Sequence, residues 1–118
     1  LRRRSTQQIR QYLGQFPGVG DKTIACVLLF ALGRPVMPVD THVLRVSRRL
    51  GLIEPAADAA KAHRLLQGAV PSALVYSFHL NLIQHGRSVC RARRPLCERC
   101  RLASDCPSKL PVRPPQRP

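Results

Sequence analysis

Apolar side chains recur at helical intervals from the start of the chain. Ile9, Leu13 and Phe16 are spaced by four and three with Tyr12 beside them, and Ser5-Thr6-Gln7-Gln8 has the S-x-x-Q form of a capping box. A first helix is predicted over about 6–16. Pro17-Gly18-Val19-Gly20 breaks it, and Asp21-Lys22-Thr23 leads into Ile24 to Leu32. That run is apolar nearly all round, which predicts a buried second helix closed by Gly33. Arg34 to Val39 contains two prolines and reads as an extended link. Asp40-Thr41 is an N-cap for a third helix with Val43, Val46 and Leu50 inward, Arg45, Arg48 and Arg49 outward, and Gly51 as its stop. A fourth helix is predicted over Ala56 to Ala69. A fifth begins near Pro71-Ser72, puts Ala73, Tyr76, Leu80 and Ile83 on one apolar stripe, and ends at His85-Gly86. No segment alternates with period two over a convincing length, so the fold class is all-α.

Composition narrows the function. At 118 residues and 44% hydrophobic content the chain has the length of one ordinary domain and material for a modest core. No run approaches the ~20 apolar residues of a membrane span, and no export signal opens the chain, so a cytoplasmic, nucleoid-associated location without membrane contact is expected. Twenty Lys and Arg against six Asp and Glu give a net charge of +14, and only Lys22, Lys61 and Lys109 of the twenty are lysines. Arginine suits bidentate contacts to phosphate, so nucleic acid is the expected partner. Aromatics at 4% and the absence of Trp argue against a stacking platform for single strands. After Cys106 five of the last twelve residues are proline, which reads as an unpacked tail.

Four of the five cysteines, Cys90, Cys97, Cys100 and Cys106, form a C-x6-C-x2-C-x5-C run in the same region as eight of the cations. A disulfide framework belongs to exported chains. Four thiolates around one inorganic centre is the better reading. Zinc usually takes two close pairs separated by a longer spacer, and a single C-x2-C flanked by lone cysteines suits an iron–sulfur cluster wrapped by one loop. Zinc remains the alternative. Cys26 lies among Ala25, Val27 and Leu28 and reads as a small core residue. Arg91, Arg93 and Arg94 lie between the first two cysteines, where they balance an anionic cluster, clamp phosphate, or do both.

Gly18-Val19-Gly20 between two helices lets backbone N–H groups come close to an anion at a helix start. Lys22 follows at once, at the positive end of a helix where cations are disfavoured. It is either solvated or held as an amine for nucleophilic attack. Asp40 reads first as an N-cap, and secondly as an ionised carboxylate beside a reacting sugar carbon. His42, His63, His79 and His85 read as helix-surface or packing residues.

Phe16-Pro17-Gly18-Val19-Gly20-Asp21-Lys22-Thr23, Val39-Asp40-Thr41-His42, His85-Gly86-Arg87 and the cysteine run, in this order, resemble the helix-hairpin-helix DNA glycosylases of the endonuclease III family. The resemblance covers most of residues 12–106. It implies a base-excision repair glycosylase and AP lyase that removes oxidised pyrimidines from duplex DNA. Lys22 would be the nucleophile that forms a Schiff base, Asp40 the second catalytic residue, and β-elimination would cut 3′ to the abasic site. The hairpin residues Gly18, Val19 and Gly20 and the loop residues Arg91, Arg93 and Arg94 would bind DNA, and the four cysteines would hold a 4Fe-4S cluster. The damaged nucleotide would be flipped out of the stack. Related adenine glycosylases lack a lysine at the Lys22 position, so Lys22 points to the bifunctional branch.

Family members carry a helical segment before the hairpin, so the resemblance further implies a C-terminal fragment. Residues 1–33 would be the remnant of a six-helix barrel, 34–106 a cluster domain and 107–118 a Pro-rich tail. The expected partner is double-stranded DNA with a damaged base or abasic site, bound by a monomer. Asp21, directly before Lys22, departs from the family pattern. Two other readings stand beside this one: a non-catalytic DNA-binding module stabilised by a cluster or zinc, and a monofunctional glycosylase relative.

Overall fold

Helices form all the regular structure among residues 2–110, the part of the chain that the computed structural model describes. The Pro-rich residues from 111 onward lie outside it. Five α-helices follow in order: α1 Thr6–Leu13, α2 Asp21–Cys26, α3 Thr41–Arg49, α4 Ala59–Ala69 and α5 Val75–Ser88.

The capping box opens α1 as predicted, with Ser5 Oγ accepting from Gln8 N at 3.1 Å and Gln8 Oε1 from Ser5 N at 2.9 Å. The helix stops three residues short of the predicted Phe16. Gly14 is its C-cap, and Pro17 disfavours helical backbone at Phe16. Tyr12 and Phe16 stay exposed and stack edge to face at 5.4 Å.

The second predicted helix is α2 plus a π-helical turn over Val27–Ala31, closed by Leu32 N donating to Val27 O. It is not buried all round. Leu28 belongs to a small cluster with Ile9, Ile24, Ala25 and Val36, while Leu29 belongs to the main core with Met37, Val43, Val46, Leu66, Val75 and Leu82. Successive residues on a helix point about 100° apart, so one helix serves two cores and leaves a third face outward. Phe30 on that face is 46% exposed, and Cys26 is half-buried.

The link at 34–40 pairs with no strand, and side chains satisfy its backbone. Gln67 of α4 accepts from Met37 N at 2.8 Å and donates to Pro35 O at 2.7 Å. His63 bonds Met37 O at 2.7 Å, and His79 of α5 bonds Pro38 O at 3.1 Å. This strapping fixes where Asp40 emerges. Asp40 then caps α3 through Oδ1, which accepts from Val43 N at 2.7 Å.

Three further expectations are corrected. The arginines of α3 do not point free into solvent. Arg48 donates to Ala57 O, and Arg45 and Arg49 reach across to the segment carrying Cys90. Helix α4 starts at Ala59, because Asp58 accepts from Lys61 N at 2.8 Å and caps better than any residue near Ala56.

The fifth helix is rotated by about one residue from the predicted stripe: Val75, His79, Leu82 and Gly86 are buried and Ile83 packs against the core, whereas Tyr76 is 53% and Leu80 40% exposed. Gly86 does not end this helix. It lies within it, where the absence of a Cβ lets α3 approach, since a methyl group there would sit 2.9 Å from Arg45 Nη2 and 3.1 Å from His42 Cβ.

Candidate functional site

Two sites are built on this frame. At the first, Gly18 adopts φ +82°, a conformation that favours glycine, and turns the chain from α1 into α2. Val19 folds in against the small cluster, while Gly18 and Gly20 are exposed. Gly20 is the N-cap of α2 and offers no side chain to its first turn. Lys22 stands exposed on that turn and lines a groove of about 680 Å³ with Arg10, Asp21, Met37, His63 and Arg64. Asp40 is half-buried and does not line this groove, although its neighbour Val39 does.

His79 of α5 is buried, as the packing role read from sequence implies. Its ring is 2% exposed and tilts against Phe30 at 5.5 Å. Burial pushes its pKa below the ordinary 6.5, against the charge of Asp40 and the bond to Pro38 O, both of which raise it; Lys22 lowers it further.

The second site is the cysteine run. Cys90 follows α5, and Cys97, Cys100 and Cys106 come from short 3-10 turns, yet all four line one cavity of about 230 Å³ with Arg49, Leu50, His85, Val89, Leu96 and Lys109. All four thiols are free and half-buried. Arg49 Nη1 donates to Cys90 Sγ at 3.4 Å, and His85 Nε2 lies 3.5 Å from Cys100 Sγ. Cys26 is not part of the group.

Among the described residues no three His, Cys, Asp or Glu side chains converge to hold a single metal ion. One tetrahedral zinc needs four sulfurs about 2.3 Å from a common point. Four thiols around one cavity, with Arg49 and His85 beside them, have the donor chemistry of a thiolate-held inorganic centre.

Arg91, Arg93 and Arg94 project from the rim of this cavity and are exposed. Arg94 has φ +52°, and its carbonyl accepts from Arg91 Nη2 at 3.3 Å. The α3 arginines, by contrast, are occupied with protein carbonyls. Arg45 bonds Gly86 O at 2.8 Å and Cys90 O at 3.1 Å, and it lies 3.1 Å from His42 Nδ1.

No family model matches the chain. Known proteins do. It is 46% identical over 93 residues to the endonuclease III of Synechocystis sp., an alignment that covers 78% of this chain and 42% of that protein. The structure of a non-covalent endonuclease III–DNA complex superposes with a TM-score of 0.80 at 36% identity, over 85% of this chain and 47% of the other. Over most of its length this chain is homologous to endonuclease III. A trapped endonuclease III–DNA covalent intermediate matches equally well, with a TM-score of 0.80. The chain spans less than half the length of the endonuclease III proteins it matches. Among the described residues no helix is long and apolar enough to cross a membrane.

Proposed function

We propose that the chain carries the catalytic hairpin and cluster segment of a base-excision repair glycosylase and AP lyase. The observation that carries this reading is Lys22, exposed on the first turn of α2 directly after the hairpin glycines and lining a groove with Arg10 and Arg64. Lys22 would attack the anomeric carbon of a flipped nucleotide as the N-glycosidic bond breaks and the base leaves, and opening of the sugar ring would give a Schiff base; Asp40 would steady the positive charge that develops on the sugar. β-Elimination would then break the strand 3′ to the site. The trapped covalent complex formed by a matching endonuclease III supports a covalent route.

The hairpin supports DNA as the partner. Glycine at position 20 is not required by the fold: φ is −99°, open to any residue, and an added Cβ would meet nothing within 4 Å. A phosphate pressed onto the backbone does require it, because a side chain would stand between the phosphate and the amides at the start of α2. Arg91, Arg93 and Arg94 would hold a second stretch of backbone by charge. The substrate would be duplex DNA with an oxidised pyrimidine or an abasic site, bound by a monomer in the cytoplasm or nucleoid.

Cys90, Cys97, Cys100 and Cys106 would hold a 4Fe-4S cluster, which supplies a cross-link of residues 90–106 and an electron-transfer centre when bound. A domain boundary near residue 33 would be crossed by both apolar clusters, since Leu29 packs in the core of α3, α4 and α5 and Val36 packs with Ile9 and Leu28.

The test is release of an oxidised pyrimidine from duplex DNA by wild type and Asp40→Asn. Asn caps a helix as well as Asp, so the variant keeps its melting temperature and loses base release. Equal rates would remove Asp40 from the chemistry and leave it as a cap.

A further inference from the structure

We propose that Arg49 is the positioning residue that holds the first and last cysteines of the run in register for their inorganic centre. The proposal rests on the cluster reading above and adds a residue to it.

Arg49 ends α3, where a cation already suits the helix dipole. Its head group does more than sit there. Nη1 donates to Cys90 Sγ at 3.4 Å, to Cys90 O at 3.4 Å and to Arg91 O at 2.7 Å, and Nη2 donates to Ala92 O at 3.1 Å. Its own backbone carbonyl accepts from Cys106 Sγ at 3.3 Å and from Ser108 Oγ at 2.7 Å. One residue thus grips Cys90 with its side chain and the Cys106 segment with its main chain, and it lines the cavity between them.

The grip suits a loaded site. Once Cys106 is a thiolate it has no proton to donate, and Ser108 Oγ remains to hold Arg49 O. A guanidinium beside Cys90 Sγ would favour the more reduced, more negative state of a bound cluster and so would raise its reduction potential. A planar fork reaches sulfur and three carbonyls together, whereas lysine offers a point charge on a flexible stem. The bonds to Arg91 O and Ala92 O also fix the base of the loop that presents Arg93 and Arg94.

The experiment compares the anaerobically purified chain with Arg49→Lys and Arg49→Gln. It measures iron and acid-labile sulfide per chain, the rate of bleaching by a chelator, the midpoint potential and the far-ultraviolet circular dichroism. Both variants are expected to bleach roughly tenfold or more faster than wild type, the range that partners behind metal ligands command. Both should also show a lower potential, with unchanged helix content. Wild-type bleaching and potential in Arg49→Lys would reduce the effect to charge and overturn the proposal, as would wild-type behaviour in both. If Arg49→Gln loses helix, Arg49→Lys decides alone. Zinc without sulfide in wild type overturns the cluster reading only, and zinc release from the same variants then tests the grip. A wild type that holds neither overturns both.

Discussion

Gly86→Ala should destabilise the protein, although the same exchange elsewhere in its helices should stabilise it. Replacing an interior helical glycine by alanine gains about 1 kcal/mol of helix propensity. At Gly86 the new methyl group would stand 2.9 Å from Arg45 Nη2 and 3.1 Å from both His42 Cβ and Nδ1. The guanidinium is the far end of a flexible side chain, but it is not free to move. It holds Gly86 O at 2.8 Å and Cys90 O at 3.1 Å, and hydrogen bonds from a charged group contribute about 1.5–3 kcal/mol. His42 Cβ sits on the α3 backbone, so relieving that contact means parting α3 from α5, at about 1–3 kcal/mol for overpacking. The net expectation is a loss of about 2 kcal/mol, or roughly 8 °C in Tm for a chain of this size. Gly68, in α4, is the control. Nothing lies within 4 Å of a Cβ there, so Gly68→Ala should hold or raise Tm. Thermal unfolding followed by circular dichroism reads both. If Gly86→Ala melts at or above wild type, the close α3–α5 contact is wrong.

Three further outcomes follow from the sites. In duplex binding measured against salt, changing Arg91, Arg93 and Arg94 to Ala should flatten the logarithmic slope by up to about 2.7, since each phosphate contact contributes about 0.9. Gly20→Ser should weaken binding while leaving Tm unchanged, because Ser caps at least as well as Gly; an unaltered affinity would remove the hairpin from the interface. For His79, burial lowers the folded-state pKa below 6.5, so the unfolded chain binds the proton more readily. Stability is full above about pH 6.5 and falls as the pH drops from there through the folded-state pKa. His79→Gln should remove that part of the slope in urea unfolding, and identical slopes would contradict it.

Local signals in the sequence carried much of the fold. The capping box at Ser5 and the Asp40 cap are both present in the structure, because each depends on residues within three positions. The cysteines share a cavity as their spacing implied. What the sequence hid depends on partners far along the chain. Tyr76 and Leu80 look like a core stripe by period alone, yet α5 turns Val75, His79 and Leu82 inward because α3 packs against the face that carries Gly86. The α3 arginines look like a solvated face until the segment at 90–92 supplies carbonyls for them. His79 carries no local mark, because its importance lies in Pro38 and in charges on two other elements.

If Lys22 is the nucleophile of a DNA lyase site, it must form an imine with the sugar of an abasic site. Incubating the protein with an abasic-site duplex and borohydride tests it directly: an imine between Lys22 Nζ and the sugar aldehyde loses water on forming, and hydride converts it to a stable amine. The account predicts a covalent adduct that maps by mass spectrometry to Lys22 and is absent in Lys22→Ala. No adduct, or one of equal yield in Lys22→Ala, would contradict it.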